Sequence, residues 1–321
     1  MNKKVLITTI PFGEVDPLPL KKLEEENLDY VINPLGRKPN EEELANILQD
    51  FEIVIAGTEK YTDYVLDSAK KLKFISRVGV GLDGINFESL RERDIKVSYT
   101  PDAPTPAVAE LTIASIFSLL RHLHTTNLDM HQGKWKKIPG KSLTNSIVGI
   151  IGLGPIGQEV LKMISNFGCE QILLNDINEN LDIKLNSNVR WETKENIYKY
   201  ADIITTHVPL NIKTKDMIDK VALEKMKSDV ILINTARGGI INEKDLLEAL
   251  NDGRLGGVSL DVFESEPYSG KLTEINRCLL TPHIGTMTSD CRSLMELQAV
   301  EEAISFCQGK SLEREVSLSM R

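Results

Sequence analysis

Residues 147–160 read IVGIIGLGPIGQEV, a β-branched apolar run that breaks into Gly152-x-Gly154-x-x-Gly157 and continues as a helical stretch over 158–166. The glycine pattern alone occurs in many loops, but between a strand and a helix its spacing has a physical purpose. Gly152 permits a tight turn, Gly154 lets backbone N–H groups approach a pyrophosphate, and Gly157 lets helix and strand pack closely. Pro155 and Ile156 begin the helix. The fixed φ of proline suits a first helical turn, although it removes one donor. The helix N-terminus turns its dipole and remaining N–H groups toward an anion. Nineteen residues after Gly157, closing the next apolar run (ILLND), stands Asp176. A carboxylate there accepts hydrogen bonds from the adenosine ribose and repels a 2′-phosphate. Ile177, Asn178 and Glu179 follow it, none of them a cation. The segment therefore predicts an NAD site in a doubly wound α/β sheet.

Outward from this site, short β-rich runs alternate with helical stretches, as parallel βαβ construction requires. Runs at 147–151, 172–175, 203–206, 230–234, 258–260 and 279–281 supply six strands of one sheet. Upstream, PDAPTP at 101–106 reads as a linker, since proline disfavours helix just before it. A long buried helix is expected from Ala107 to about Met130, then a turn-rich arm, GKWKKIPGKSLTN, in which Trp135 reads as packing. Before residue 100, strand runs at 5–8, 53–56, 74–78 and 96–98 alternate with helical spacing at 18–27 and 41–49, the same parallel βαβ construction, with a domain boundary plausible at the proline-rich linker. Residues 288–307 read as a last helix.

The 321 residues carry 38 basic and 47 acidic side chains, a net charge of −9. Without a cluster of Lys or Arg, an acidic chain is poorly suited to nucleic acid. The longest strongly apolar stretch, 147–153, is far short of the about 20 residues a membrane span needs, and the six-residue run near the N-terminus is too short for a secretory signal. The four cysteines lack CxxC spacing and read as reduced thiols, so a cytoplasmic protein is expected. His122, His124 and His131, on the long helix, lack an i,i+4 pair and read as structural.

Three polar residues follow strand runs: Arg237 in INTARGGII, Glu266 in LDVFESEP and His283 in LLTPHIG. Residues at successive strand ends of an open sheet can converge on one crevice. Hydride transfer from a 2-hydroxy acid needs three groups. A guanidinium grips the carboxylate through a bidentate fork. An imidazole exchanges the hydroxyl proton, and a carboxylate orients that imidazole.

With Gly152–Gly157 and Asp176, the motifs HVPL (207–210), NTARGG (234–239), LDVFESEP (260–267) and TPHIG (281–285) resemble the D-isomer-specific 2-hydroxyacid dehydrogenase family across the whole chain, in order. The resemblance implies two Rossmann-like or flavodoxin-like domains with the active site in the cleft between them. Residues 101–287 would bind NAD, and residues 1–100 with 288–321 would bind substrate. It assigns catalysis to Arg237, Glu266 and His283, and implies a homodimer formed through roughly 107–141. His207, Val208, Pro209, Thr235, Ala236, Asp261 and Gly285 are then expected to line the cofactor. FISRVGVGLDGIN resembles the substrate loop, with Gly79 and Gly81 offering backbone N–H groups and Val80 near the nicotinamide. Arg77 matches a basic position of the phosphoglycerate dehydrogenase branch, where it would hold a phosphate; pairing with a surface carboxylate is the alternative. The substrate is expected to be a small anionic 2-hydroxy or 2-oxo acid. Phosphoglycerate, glyoxylate and hydroxypyruvate chemistry all stay open, as does an NAD-sensing corepressor role.

Overall fold

The computed structural model describes residues 4–178 and 186–317, and Glu179 and both extreme termini lie outside them. The chain divides into two compact units: unit 1 is Met1–Pro104 with Thr286–Arg321, and unit 2 is Thr105–Gly285.

Unit 1 begins β1 (Lys4–Ile7), α1 (Leu18–Glu25), β2 (Asp29–Ile32), α2 (Glu41–Leu48), β3 (Ile53–Ala56), α3 (Asp63–Ser68), β4 (Phe74–Arg77), α4 (Phe87–Glu92) and β5 (Lys96–Ser98). All five strands are parallel, in the order β2-β1-β3-β4-β5. β3 is buried at every position, as an inner strand covered on both faces must be. Asn40 caps α2 through a reciprocal pair of hydrogen bonds with Glu43, which satisfies two otherwise orphaned donors.

Unit 2 contains α5 (Pro104–Leu120), α6 (Leu123–His131), β6 (Ile147–Ile151), α7 (Pro155–Ser165), β7 (Gln171–Asn175), β8 (Val189–Trp191), α8 (Lys194–Tyr200), β9 (Ile203–Thr206), α9 (Lys220–Lys225), β10 (Ile231–Asn234), α10 (Glu243–Asn251), β11 (Gly257–Leu260) and β12 (Cys278–Leu280). Its parallel sheet runs β12-β11-β10-β9-β6-β7-β8, with seven strands where six were expected. The chain then returns to unit 1 as α11 (Ser289–Cys307), capped by Thr288 Oγ1 and stacked through Phe306 on Phe74 at 4.7 Å.

Two expectations are corrected. The long helix from Ala107 is two helices, α5 and α6, broken where His122 takes φ +53°. Lys141 N donates to Leu120 O at 2.9 Å, so a backbone group from the returning arm caps the last turn of α5. No glycine or proline marks this break, because a tertiary hydrogen bond makes it. His122 therefore sits between the helices, with only His124 and His131 on α6. Trp135 is not packed but 79% exposed, in an arm that lies outside helix and strand. Among the described residues, no helix is long and apolar enough to cross a membrane.

Candidate active site

The glycine turn of unit 2 forms because three backbone segments crowd one another. Gly152 has φ +95°, and a Cβ there would stand 2.6 Å from His207 O; a Cβ on Gly157 would stand 2.0 Å from Gly152 O. Both positions need a bare backbone for α7 to sit against β6 and for the loop after β9 to pass. Above Gly154 nothing lies within 4 Å of where a Cβ would be, and no side chain caps the N-terminus of α7. An open approach to uncapped helix N–H groups is what a pyrophosphate requires. Asp176 accepts from Leu153 N at 2.6 Å and Asn178 N at 2.9 Å, which fixes its carboxylate beside the glycine turn. The residues present therefore fit a dinucleotide. Replacing Gly157 with alanine is expected to destabilise unit 2 by about 1–3 kcal/mol, the usual cost of overpacking, and to weaken NADH binding. Thermal unfolding and NADH fluorescence titration would check this.

The sequence-predicted His207 and Val208 lie against Gly152, and Pro209 is exposed at the outer end of the same loop. His207 Nε2 meets Thr205 Oγ1 at 2.9 Å, and burial pushes its imidazole down to about 4. At neutral pH it is an uncharged ring. Thr235 is buried and bonded to Thr112 of α5 at 3.0 Å.

Beyond β10, Asn234 organises the turn carrying Arg237. Its Oδ1 accepts from Thr206 Oγ1 at 3.2 Å and Ala236 N at 3.1 Å, while its Nδ2 donates to Arg237 O at 2.8 Å. Arg237 Nη1 in turn donates to Ala236 O at 2.6 Å. The next residue fixes how this turn meets its neighbour, since a Cβ on Gly238 would stand 2.0 Å from Phe263 O. The turns after β10 and β11 are thus in backbone contact, and the Glu266 turn lies against the Arg237 turn.

Glu266 Oε1 accepts from Phe263 N at 3.1 Å, and Oε2 meets His283 Nδ1 at 2.8 Å. One oxygen anchors the carboxylate and the other holds the ring. The donor is assigned as Nδ1–H from this contact, so Nε2 is the nitrogen left to exchange a proton. His283 takes φ +54°, an uncommon conformation for a residue with a side chain. Asp261, 1% exposed, sustains it: Oδ1 accepts from Thr281 Oγ1 at 2.6 Å and Ile284 N at 2.8 Å, and Oδ2 from Gly285 N at 2.8 Å. Burial pushes the Asp261 carboxyl up, and these three donors pull it back. Expected as a cofactor-lining residue, Asp261 has both oxygens occupied in bracing the TPHIG turn. Sequence reasoning missed Asn234 as a turn organiser, although an Asn closing a strand run is a turn signal.

In unit 1, the loop after β4 departs from expectation. Gly79, at φ +128°, donates its N–H to Thr100 Oγ1 at 2.7 Å, so its donor is not the one a substrate would meet. Val80, 36% exposed, and Gly81 follow it in the loop. Arg77 bonds backbone carbonyls: Nη1 donates to Val78 O at 2.7 Å and Ala56 O at 3.3 Å, and Nε to Gly81 O at 3.1 Å. These bonds staple the loop to the end of β3.

Comparison with known proteins agrees with this geometry. Residues 113–285 match the model of the D-isomer specific 2-hydroxyacid dehydrogenase NAD-binding domain. A hydroxypyruvate reductase of Thermotoga maritima is 35% identical over 268 residues, covering 81% of this chain and 86% of the relative. A D-3-phosphoglycerate dehydrogenase of Methanocaldococcus jannaschii is 34% identical over 98% of this chain, which spans only 59% of that relative's length. The solved TT0316 protein of Thermus thermophilus superposes with a TM-score of 0.88 at 30% identity, over 98% of this chain and 99% of that one. The glycine turn with Asp176, the linked turns after β10 and β11, and these matches agree: the chain belongs to the D-isomer specific 2-hydroxyacid dehydrogenase family, NAD-dependent oxidoreductases that interconvert 2-hydroxy and 2-oxo acids.

Proposed function

We propose that Arg237, Glu266 and His283 are the groups through which this chain interconverts a D-2-hydroxy acid and its 2-oxo acid. The 2.8 Å contact between His283 Nδ1 and Glu266 Oε2 carries the assignment. It fixes the ring and leaves Nε2 to take the hydroxyl proton on oxidation or return it on reduction. Arg237 binds the substrate carboxylate through its planar fork and polarises the C2 oxygen. NAD, when bound, supplies the hydride acceptor, or as NADH the donor. Gly152, Gly154, Pro155, Ile156 and Gly157 hold its pyrophosphate and Asp176 its ribose. Val208, Pro209, Thr235, Ala236 and Gly285 line its nicotinamide half.

Unit 2 serves as the NAD domain and unit 1 as the substrate domain, with Val80 and Gly81 in its substrate loop and the Gly81 N–H as the donor. Because Arg77 already bonds three backbone carbonyls, it shapes that loop, and we favour an unphosphorylated acid. Leu123, Leu128, Met130 and Trp135, all exposed on α6 and the arm, suit a homodimer contact. The four free thiols fit a cytoplasmic setting. Following NADH absorbance with glyoxylate, hydroxypyruvate and phosphohydroxypyruvate tests the reaction. Turnover of the unphosphorylated acids is expected. Tight NADH binding without turnover of any would instead support an NAD-sensing corepressor.

A further inference from the structure

In the turn that carries Glu266, the residues from Glu264 to Pro267 are all exposed. Packing restrains them little, so the contact between Glu266 and His283 depends on some other restraint. The peptide unit joining Phe263 to Glu264 supplies one, because both of its polar groups are confined. Its carbonyl lies against Gly238, where a Cβ would stand 2.0 Å from Phe263 O. Its N–H, on Glu264, donates to Glu243 Oε1 at 2.7 Å. The N–H one residue earlier, on Phe263, is the donor that anchors Glu266 Oε1 at 3.1 Å. Glu243 thus stands one peptide away from the bond that holds Glu266.

Glu243 can serve as a fixed point because the segment bearing it is itself tied down. Ile218 N donates to Ile240 O and Asn242 N to Ile218 O, each at 3.0 Å, and Asn242 caps α10 by accepting from Asp245 N. Gly238 and Glu243 both belong to this segment, which begins with Arg237. A second bond runs the other way: Glu243 N, an orphan donor of the first turn of α10, donates to Glu264 Oε1 at 3.3 Å. Burial pushes the Glu243 carboxyl up, the Glu264 N–H pulls it back, and the Glu264 charge adds to the rise. Two like charges set together disfavour one another, so charge attraction does not explain the clasp. The bonds to main-chain N–H groups do.

We propose that Glu243 is a positioning residue, which fixes the Glu266 turn against the Arg237 turn and so keeps Glu266 in register with His283. The proposal rests on the dehydrogenase function above, and its test reads His283 both with and without turnover.

Glu243→Ala removes the acceptor, whereas Glu243→Gln keeps one without the charge. In Glu243→Ala, kcat should fall about 10- to 100-fold, the scale of a small misplacement near the chemistry, with KM and NADH affinity within about two-fold of wild type. Glu243→Gln should recover kcat to within about three-fold of wild type, since the bond to Glu264 N survives. In a Glu266→Ala background the same alanine change should cost less than about two-fold, because residues that act through one another are not additive. Nitrogen NMR of the His283 ring in alkaline buffer, where an imidazole is uncharged, reads its tautomer with no substrate present. It should show Nδ1–H in the wild type and Glu243→Gln, and a mixture with Nε2–H in Glu243→Ala. Should Glu243→Ala not fold, Glu243→Asp, which keeps the charge but is one methylene short of Glu264 N, carries the same expectations.

A merely structural Glu243 would lower Tm while leaving the tautomer and the kcat of the folded enzyme unchanged. That result overturns the proposal, as does an undiminished loss in the Glu266→Ala background. Turnover by the wild type with kcat and tautomer unmoved in the variants would remove Glu243 alone. A tautomer that shifts in Glu243→Ala and returns in Glu243→Gln, in a chain that reduces no 2-oxo acid, would end the dehydrogenase function and leave the positioning of His283 standing.

Discussion

Replacing His283 with glutamine is expected to lower kcat by about two to four orders of magnitude, the range for losing a general acid–base group, with NADH affinity little changed. Glutamine approximates the size of the ring and can still donate to Glu266 Oε2, so the turn held by Asp261 should survive. What disappears is a nitrogen that gains and loses a proton. The effect should therefore fall on kcat and kcat/KM together, the pattern of an interaction made in the transition state. Single-turnover hydride transfer and NADH titration on the same preparation separate the two quantities. Turnover within a few-fold of wild type would end the assignment of His283 as the proton-exchanging group.

The inner strands were legible because an inner parallel strand is apolar along its whole length. Ile53–Ala56, Ile147–Ile151 and Ile203–Thr206 each appear as a compact β-branched run and each forms a strand over those residues. β2 and β8 escaped for the opposite reason. Both are edge strands, short and only partly buried, and DYVI and VRW carry no clear period. The break between α5 and α6 left no local mark, since it depends on a carbonyl of Leu120 meeting an N–H twenty-one residues later in the chain.

The same distinction runs through the candidate site. Gly152, Gly157 and Asp176 are spaced by a local turn, and the spacing can be read directly. His283 and Glu266 are seventeen residues apart and meet only because β11 and β12 are neighbours in the sheet. Motif resemblance brought them together before any local rule could. Gly79 has the φ expected of a glycine loop, but the partner of its N–H, Thr100, belongs to the segment after β5 and could not be inferred from FISRVGVGLDGIN. Glu59 sits in a polar loop between exposed neighbours, with Gly57 two residues before it leaving space at its carboxylate and the distant Gly84 leaving space at its backbone carbonyl.

Arg237→Lys should lower kcat/KM by about 100-fold or more even though the charge is retained, because both the paired hydrogen bonds and the positioning of the group are lost. Two features of the guanidinium matter. Its planar fork can meet both oxygens of a carboxylate, whereas an ammonium is a point charge on a flexible stem. In addition, Nη1 is tied to Ala236 O at 2.6 Å, a bond that sets the direction of the side chain before substrate arrives. A lysine carries all its donors on one nitrogen, so it cannot hold that carbonyl and also offer a planar fork to both carboxylate oxygens. The turn itself should remain intact, because Asn234 bonds the backbone carbonyl of residue 237 rather than its side chain, so Tm should stay close to wild type. A pure charge effect would behave differently: in a chain of net charge −9, attraction of an anionic acid depends on local cations, and lysine would then restore nearly full kcat/KM and the same salt dependence. Measuring kcat/KM at low and high ionic strength in the wild type and Arg237→Lys distinguishes the two, and a lysine variant within a few-fold of wild type would show that fixed geometry at this position is not what the substrate requires.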